Sequence, residues 1–136
     1  MEVEQITDPQ TLSGHYPHQT GLTAYGNGGF RFAELSHKGS LLCVPSGMHA
    51  WSVTSPAELT LESLQPIIDQ ADRIDVLLIG LGTDILPIDP AIRAALRDRK
   101  IIVEATQTGG AIRTYNVLLA EDRRVAAALI AVENAR

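Results

Sequence analysis

The chain has 136 residues, 45% apolar and 20% charged, with a mean hydropathy of +0.06. That is the composition of a globular domain long enough to bury a core without metal or disulfide staples. Eleven basic residues against 16 acidic ones leave a net charge of −5, and there is one cysteine. Nucleic acid and anionic membrane surfaces are therefore disfavoured as partners, because phosphate binding needs clustered positive charge. An intramolecular disulfide and a multi-cysteine metal site are excluded.

No apolar run reaches the roughly 18–20 residues of a membrane helix. No basic stretch precedes an apolar one at the start, so no signal peptide is expected and the expected location is the cytoplasm. Residues 1–21 read as an N-terminal arm, in which Glu2, Glu4, Asp8, Pro9, Gly14 and Pro17 leave few apolar positions. A short pairing strand can form at Val3–Ile6. Residues 22–136 read as a single α/β domain.

Tyr25 to Gly29 is rich in turn residues, and Gly29–Phe32 alternates as a half-buried strand does. His37–Gly39 reads as a turn. Ser40–Val44 is an apolar strand closed by Pro45, and Pro45-Ser-Gly47 is a second turn. Met48–Val53 alternates again. Short strands joined by tight turns predict an N-terminal antiparallel meander.

The second half changes period. Leu64, Ile67, Ile68 and Ala71 are spaced for a helix capped by Ser63, with Pro66 in its first turn. Asp75–Gly80 is a continuous apolar run, as expected of a strand covered on both faces. Asp89-Pro90 is a cap followed by proline at the first helical position. Ile92, Ala95 and Leu96 give that helix an apolar face, and Arg97, Arg99 and Lys100 crowd its C-terminal end. Ile101–Val103 predicts another buried strand, and Ala111, Ile112, Tyr115, Leu118 and Leu119 predict a helix opening near Thr108. Strand, helix, strand, helix is a βαβα unit, with a right-handed crossover expected. Residues 124–132 are alanine-rich, which suits a helix by propensity and a fully buried strand by alternation.

Gly28-Gly-Phe30, Gly39-Ser-Leu-Leu42 with Pro45 and Trp51, Leu78-Ile-Gly-Leu-Gly82 with Pro87, Val103-Glu104 with Thr108, and Arg113-Thr-Tyr-Asn-Val-Leu118 with Glu121 and Arg123–Leu129 together carry a resemblance. The chain resembles the small adipogenesis-associated Mth-domain α/β family, whose eukaryotic relatives include a mitochondrial complex I assembly factor. The likeness runs from about Leu22 to Val132. It implies a three-layer β+α/β/α architecture around a mixed central sheet. It further implies a strand over 124–131 that runs antiparallel to the parallel βαβ pair. Where the family commonly shows Glu-Met-Asp-Thr-like residues, this chain has Glu104-Ala-Thr-Gln-Thr108, which puts any acid at 106 or 107 in doubt. The eukaryotic relatives' assembly role implies a protein partner.

Two loops could carry chemistry. Gly80-Leu-Gly82 ends a strand, but a third glycine and an immediate helix, both needed for a dinucleotide loop, are missing. Its simpler reading is a tight turn. Thr106-Gln-Thr-Gly-Gly110 links a strand to a helix whose first amides attract anions. With Gly80, Gly82, Thr106, Thr108, Gly109, Gly110 and Arg113, a small anion could be held in the crevice between loops 80–86 and 104–110. The simpler reading there is a threonine cap with glycines that allow close helix–sheet packing. Glu104 is a weak catalytic candidate as an acid/base, or else a structural acceptor. Tyr115 reads as a buried phenol with a bonded tip, and Asn116 as a bond to a neighbouring loop.

His15, His18, His37 and His49 lack the convergence a metal site needs, and Cys43 reads as a buried inert thiol. No metal or other cofactor is expected. Three functions remain open: a non-catalytic binding or assembly module, favoured here; an enzyme acting on a small anionic substrate in that crevice; and a structural homo-oligomer using Phe30, Phe32 and Trp51 as its contact.

Overall fold

The computed structural model describes residues 15–134, so the strand expected at Val3–Ile6 lies outside the described residues. In chain order the elements are β1 (His15–Tyr16), β2 (Ala24–Gly26), β3 (Gly29–Phe32), β4 (Leu35–Lys38), β5 (Ser40–Val44), β6 (Gly47–Trp51), α1 (Gln65–Ile68), β7 (Val76–Gly80), α2 (Pro90–Asp98), β8 (Ile102–Thr106), α3 (Thr108–Ala120) and β9 (Val125–Leu129). A six-stranded sheet runs β1-β6-β5-β9-β7-β8, and β2-β3-β4 form a separate three-stranded sheet.

The central strands divide their side chains between two cores. Leu77, Ile79, Ala126 and Ala128 face one, with Ile92 and Leu96 of α2 and Leu64 and Ile67 around α1. Leu78, Val125, Ala127 and Leu129 face the other, with Ala111, Ile112 and Tyr115 of α3 and Phe30, Phe32 and Leu35 of the small sheet. Alternation on a strand covered on both sides is why 75–80 and 125–130 read as unbroken apolar runs. The result is the expected three-layer β+α/β/α arrangement of an α/β fold.

β9 settles the ambiguity of the alanine-rich segment. It pairs with β5 on one side and β7 on the other, so all five of its residues are buried. Two ladders and a packed core on each face outweigh a helix preference of a few tenths of a kcal/mol per residue. Its direction corrects the sequence reading. β9 is antiparallel to β5 but parallel to β7, not antiparallel to the βαβ pair. α3 carries the chain back along the sheet after β8, so the next strand must run the same way as β8 and β7.

Three further details differ from expectation. The N-terminal meander is built from 24–26, 29–32 and 35–38, while 40–44 and 47–51 form a hairpin inside the large sheet. His37 and Lys38 thus lie in a strand, and the turn falls at Ala33 and Glu34, with φ of 49° and 64°. That left-handed pair carries no Gly or Asn to announce it. Ser63 does not cap a helix by itself. Its hydroxyl accepts from the Thr60 amide at 3.0 Å and donates to the Thr60 carbonyl at 2.6 Å. Asp89 does cap α2, accepting from the Ala91 amide at 2.9 Å, with Pro90 at the first turn.

Residues 15–21 are tied to the domain. β1 pairs with β6, the Gln19 side chain donates to the Val125 carbonyl at 2.7 Å, and Tyr115 donates to the Thr20 carbonyl at 2.8 Å.

Candidate functional site

Parallel β9, β7 and β8 deliver their carboxyl ends to one edge of the molecule, the place where open α/β sheets hold ligands. On the β8 side of β7 that edge is closed. The Thr108 amide donates to the Gly82 carbonyl at 2.9 Å. The Thr108 hydroxyl accepts from the Gly82 amide at 3.0 Å and donates to the Ile130 carbonyl at 2.7 Å. Gln107 reaches across from its side-chain nitrogen to the Thr83 carbonyl at 2.6 Å. Thr108 is fully buried.

Gly80 belongs to the same closure. A Cβ there would lie 2.8 Å from the Thr108 Cα and 3.0 Å from the Leu129 side chain, so glycine is what lets the start of α3 sit on the sheet. The anion-binding set is therefore split. Gly80, Thr108 and Gly109 are packed interior, and Gly82 uses both its backbone groups on Thr108. Thr106, Gly110 and Arg113 meet outside, on the surface. The expected crevice between loops 80–86 and 104–110 is bridged rather than open. Close helix–sheet packing describes it, but the expected threonine cap does not form: Gln107 stands at the cap without a side-chain bond to the helix, and the Thr108 hydroxyl serves Gly82 and Ile130.

On the β9 side the edge is open. A hollow of about 380 Å³ lies between Leu81–Asp84 with Leu86, Ile130–Asn134 after β9, and Thr54–Pro56. The loop above it, Gly82 to Asp89, exposes Ile85 to 66% and Leu86 to 43%. Asp84, Asp89 and Glu133 stand exposed around these apolar residues. No basic side chain lines the hollow.

The remaining candidates fall elsewhere. Glu104 was expected at the end of a buried strand. β8 is instead the edge of the sheet, and Glu104 is exposed there, as is Ile102. The edge is partly occupied, since Arg93 donates to the Val103 carbonyl at 2.7 Å. Asn116 accepts from the Leu22 amide at 2.9 Å and donates to the Leu22 carbonyl at 2.8 Å. With Tyr115, it stitches residues 20–22 onto α3, so the Thr-Tyr-Asn stretch is a structural clamp.

Burial pushes the Cys43 thiol and the Tyr115 phenol well up. Both stay neutral and unreactive at ordinary pH. His37 is held down by burial, against a hydrogen bond to the Ser40 carbonyl at 3.0 Å. No group of three or more His, Cys, Asp or Glu suited to a metal occurs among the described residues. Phe30, Phe32 and Trp51 are buried at 2%, 1% and 6% exposure, and the Trp51 indole donates to the Ser63 carbonyl at 2.8 Å. They are core, not an oligomer contact.

Sequence reasoning missed the β9-side hollow because it reversed β9, which moved residues 130–134 to the far end of the sheet. One signal was available: Ile85-Leu-Pro-Ile88 is an apolar stretch in a segment with no element to bury it.

The fold and sequence define a small α/β family. The chain belongs to the family described as protein of unknown function (DUF498/DUF598), whose pattern matches residues 22–130. It is 33% identical over 114 residues to an uncharacterized protein of Rhodobacter capsulatus, covering 84% of this chain and 86% of that one. It is also similar to NADH dehydrogenase (ubiquinone) 1 alpha subcomplex assembly factor 3. The Xenopus tropicalis protein is 32% identical over 109 residues, covering 80% of this chain and 60% of the frog protein. The mouse protein is 30% identical over 129 residues, covering 95% and 70%.

Among solved structures, one described as an outer membrane protein from Bartonella henselae superposes with a TM-score of 0.84 at 47% identity, covering 88% of this chain and all of that one. A Bordetella pertussis protein described as a Mth938-like domain gives a TM-score of 0.74 at 28% identity, covering 86% and 89%. Among the described residues no helix is long and apolar enough to cross a membrane.

Proposed function

We propose that the chain is a non-catalytic, assembly-factor-like docking module that engages a protein partner through the loop Gly82–Asp89 and the hollow beneath it. The observation that carries this reading is the exposure of Ile85 and Leu86 side by side, whereas the other exposed large apolar side chains among the described residues, Ile102 on β8 and Val117 on α3, stand singly. The acids around them select a partner segment that is apolar at its centre and basic at its rim. The names of the frog and mouse relatives agree with a protein-binding role.

Gly82, Gln107 and Thr108 spend their polar groups on internal bonds across the bridged crevice, and Glu104 stands exposed on the sheet edge, so neither the small anion nor an enzyme built on Glu104 draws support from it. The same reading keeps the chain in the cytoplasm, and cell fractionation tests that against the name carried by the Bartonella relative.

The test is co-purification from native extract with the wild type and the Ile85→Asp/Leu86→Asp pair, together with sedimentation of the isolated chain. Both side chains are exposed, so the pair leaves the melting temperature nearly unchanged. The reading predicts a stoichiometric partner that the variant loses. Recovery of the same partner by the variant overturns the docking site. Absence of any partner, or self-association as the sole interaction, overturns the module.

A further inference from the structure

Among the described residues, the small sheet has a covered face and a bare one. Directly opposed residues share a face in antiparallel pairing. Tyr25, Phe30 and His37 form one such row, and Phe30 and His37 are buried against the α3-side core. The opposite face therefore presents Ala24, Arg31 and Ser36 in one row and Gly26, Gly29 and Lys38 in the next. All six of these residues line a single concavity of about 510 Å³, within the roughly 300–1,000 Å³ of small-molecule sites.

The chemistry of this concavity is one-sided. Its lining contains Arg31 and Lys38 and no acid, in a chain of net charge −5. Neither cation forms an ion pair among the described residues. Arg31 donates to the Ser36 hydroxyl at 3.1 Å, which fixes the guanidinium over the sheet and leaves donors for a ligand. Arg31 and Lys38 are diagonal neighbours on adjacent strands, a spacing of about 7–8 Å between backbones. Their long side chains can converge on one anionic group. Beside them, Ala24 and Gly26 leave a floor of backbone and small side chains for a flat apolar body.

We propose that this outer face binds a small organic anion: a carboxylate or phosphate monoester carried on a flat apolar body. The anionic group is held by Arg31, which suits the two oxygens of such groups, and by Lys38 as a point charge. The flat body lies over Ala24 and Gly26. His37 is lining only, since its ring is committed to the Ser40 carbonyl on the buried side. This site is separate from the docking loop, so either can fail without the other.

The test is an amide-resolved NMR titration of the full chain with 2-naphthoate, and with 2-naphthalenemethanol as its uncharged analogue. The proposal predicts saturable shifts confined to residues 24–31 and 36–38, with affinity at least about tenfold lower for the alcohol. An Arg31→Ala/Lys38→Ala chain, checked for folding by circular dichroism, should lose affinity to the same degree. An Ala24→Trp chain keeps both charges but fills the floor, and should lose binding as well. Shifts elsewhere, equal affinity in the charge-deleted chain, or binding that survives Ala24→Trp overturn the proposal. Tighter binding of a glutamate-rich peptide at the same residues also overturns it, by assigning the face to an acidic protein segment.

Discussion

β7 has a parallel neighbour on each side, and its two flanks end differently. Toward β8, the loops are joined by hydrogen bonds from Thr108 and Gln107. Toward β9, the loops stand apart over a hollow crowned by exposed Ile85 and Leu86. Both flanks obey the same rule, since strand ends in a parallel sheet leave backbone groups that must find partners. The β8 flank meets that need within the chain, through one buried threonine. The comparison teaches that a glycine- and threonine-rich strand–helix loop is as suited to closing a fold as to holding an anion. Which of the two it does depends on whether the neighbouring loop comes within hydrogen-bond reach.

Substitutions that break the closed flank should cost far more than those on the open one. Thr108→Val removes a hydroxyl that serves the Gly82 amide and the Ile130 carbonyl at once. Leaving both unpaired in the interior should cost about 2–4 kcal/mol of stability in urea unfolding. Gln107→Ala removes one exposed bond to the Thr83 carbonyl and should cost about 0.5–1.5 kcal/mol. Asp84→Ala on the open flank should stay within about 0.5 kcal/mol of wild type. Equal costs for Thr108→Val and Asp84→Ala would erase the distinction between the flanks.

The small sheet repeats the contrast between a filled face and a bare one, and His37 reports on its filled side. Burial holds this histidine's folded pKa below its ordinary value, with the Ser40 hydrogen bond opposing. The unfolded chain therefore takes up a proton at higher pH than the folded one does. Stability is full above the unfolded value of about 6.5 and falls as the pH drops below it. Melting temperatures measured from pH 8 down to pH 5.5 should show that decline. A folded His37→Gln chain should show a shallower one.

Much of this architecture is written in local pattern. Asp75–Gly80 is legible because a strand buried on both faces has nowhere to place a polar residue. Asp89-Pro90 is legible because a cap and a first-turn proline are chemical requirements of a helix start. The Ala33–Glu34 turn is not legible, since both residues adopt φ above +45° without the side chains that favour it. The direction of β9 is not local at all. It follows from α3 returning the chain along the sheet, and reversing it moves residues 130–134 from one end of the molecule to the other. Thr106, Thr108 and Gly109 carry the residue types of an anion site, but at Thr108 the partner atoms are the protein's own Gly82 and Ile130.

Native-state hydrogen exchange of the amides of Gly82 and Thr108, set against those of Thr83 to Leu86, tests this contrast most directly. If the β8 flank is closed by its own hydrogen bonds, Gly82 and Thr108 will exchange as slowly as the amides of β7, while the loop amides exchange fast. Exchange of Gly82 and Thr108 at the loop's rate would mean that the start of α3 opens to solvent, and would contradict the account.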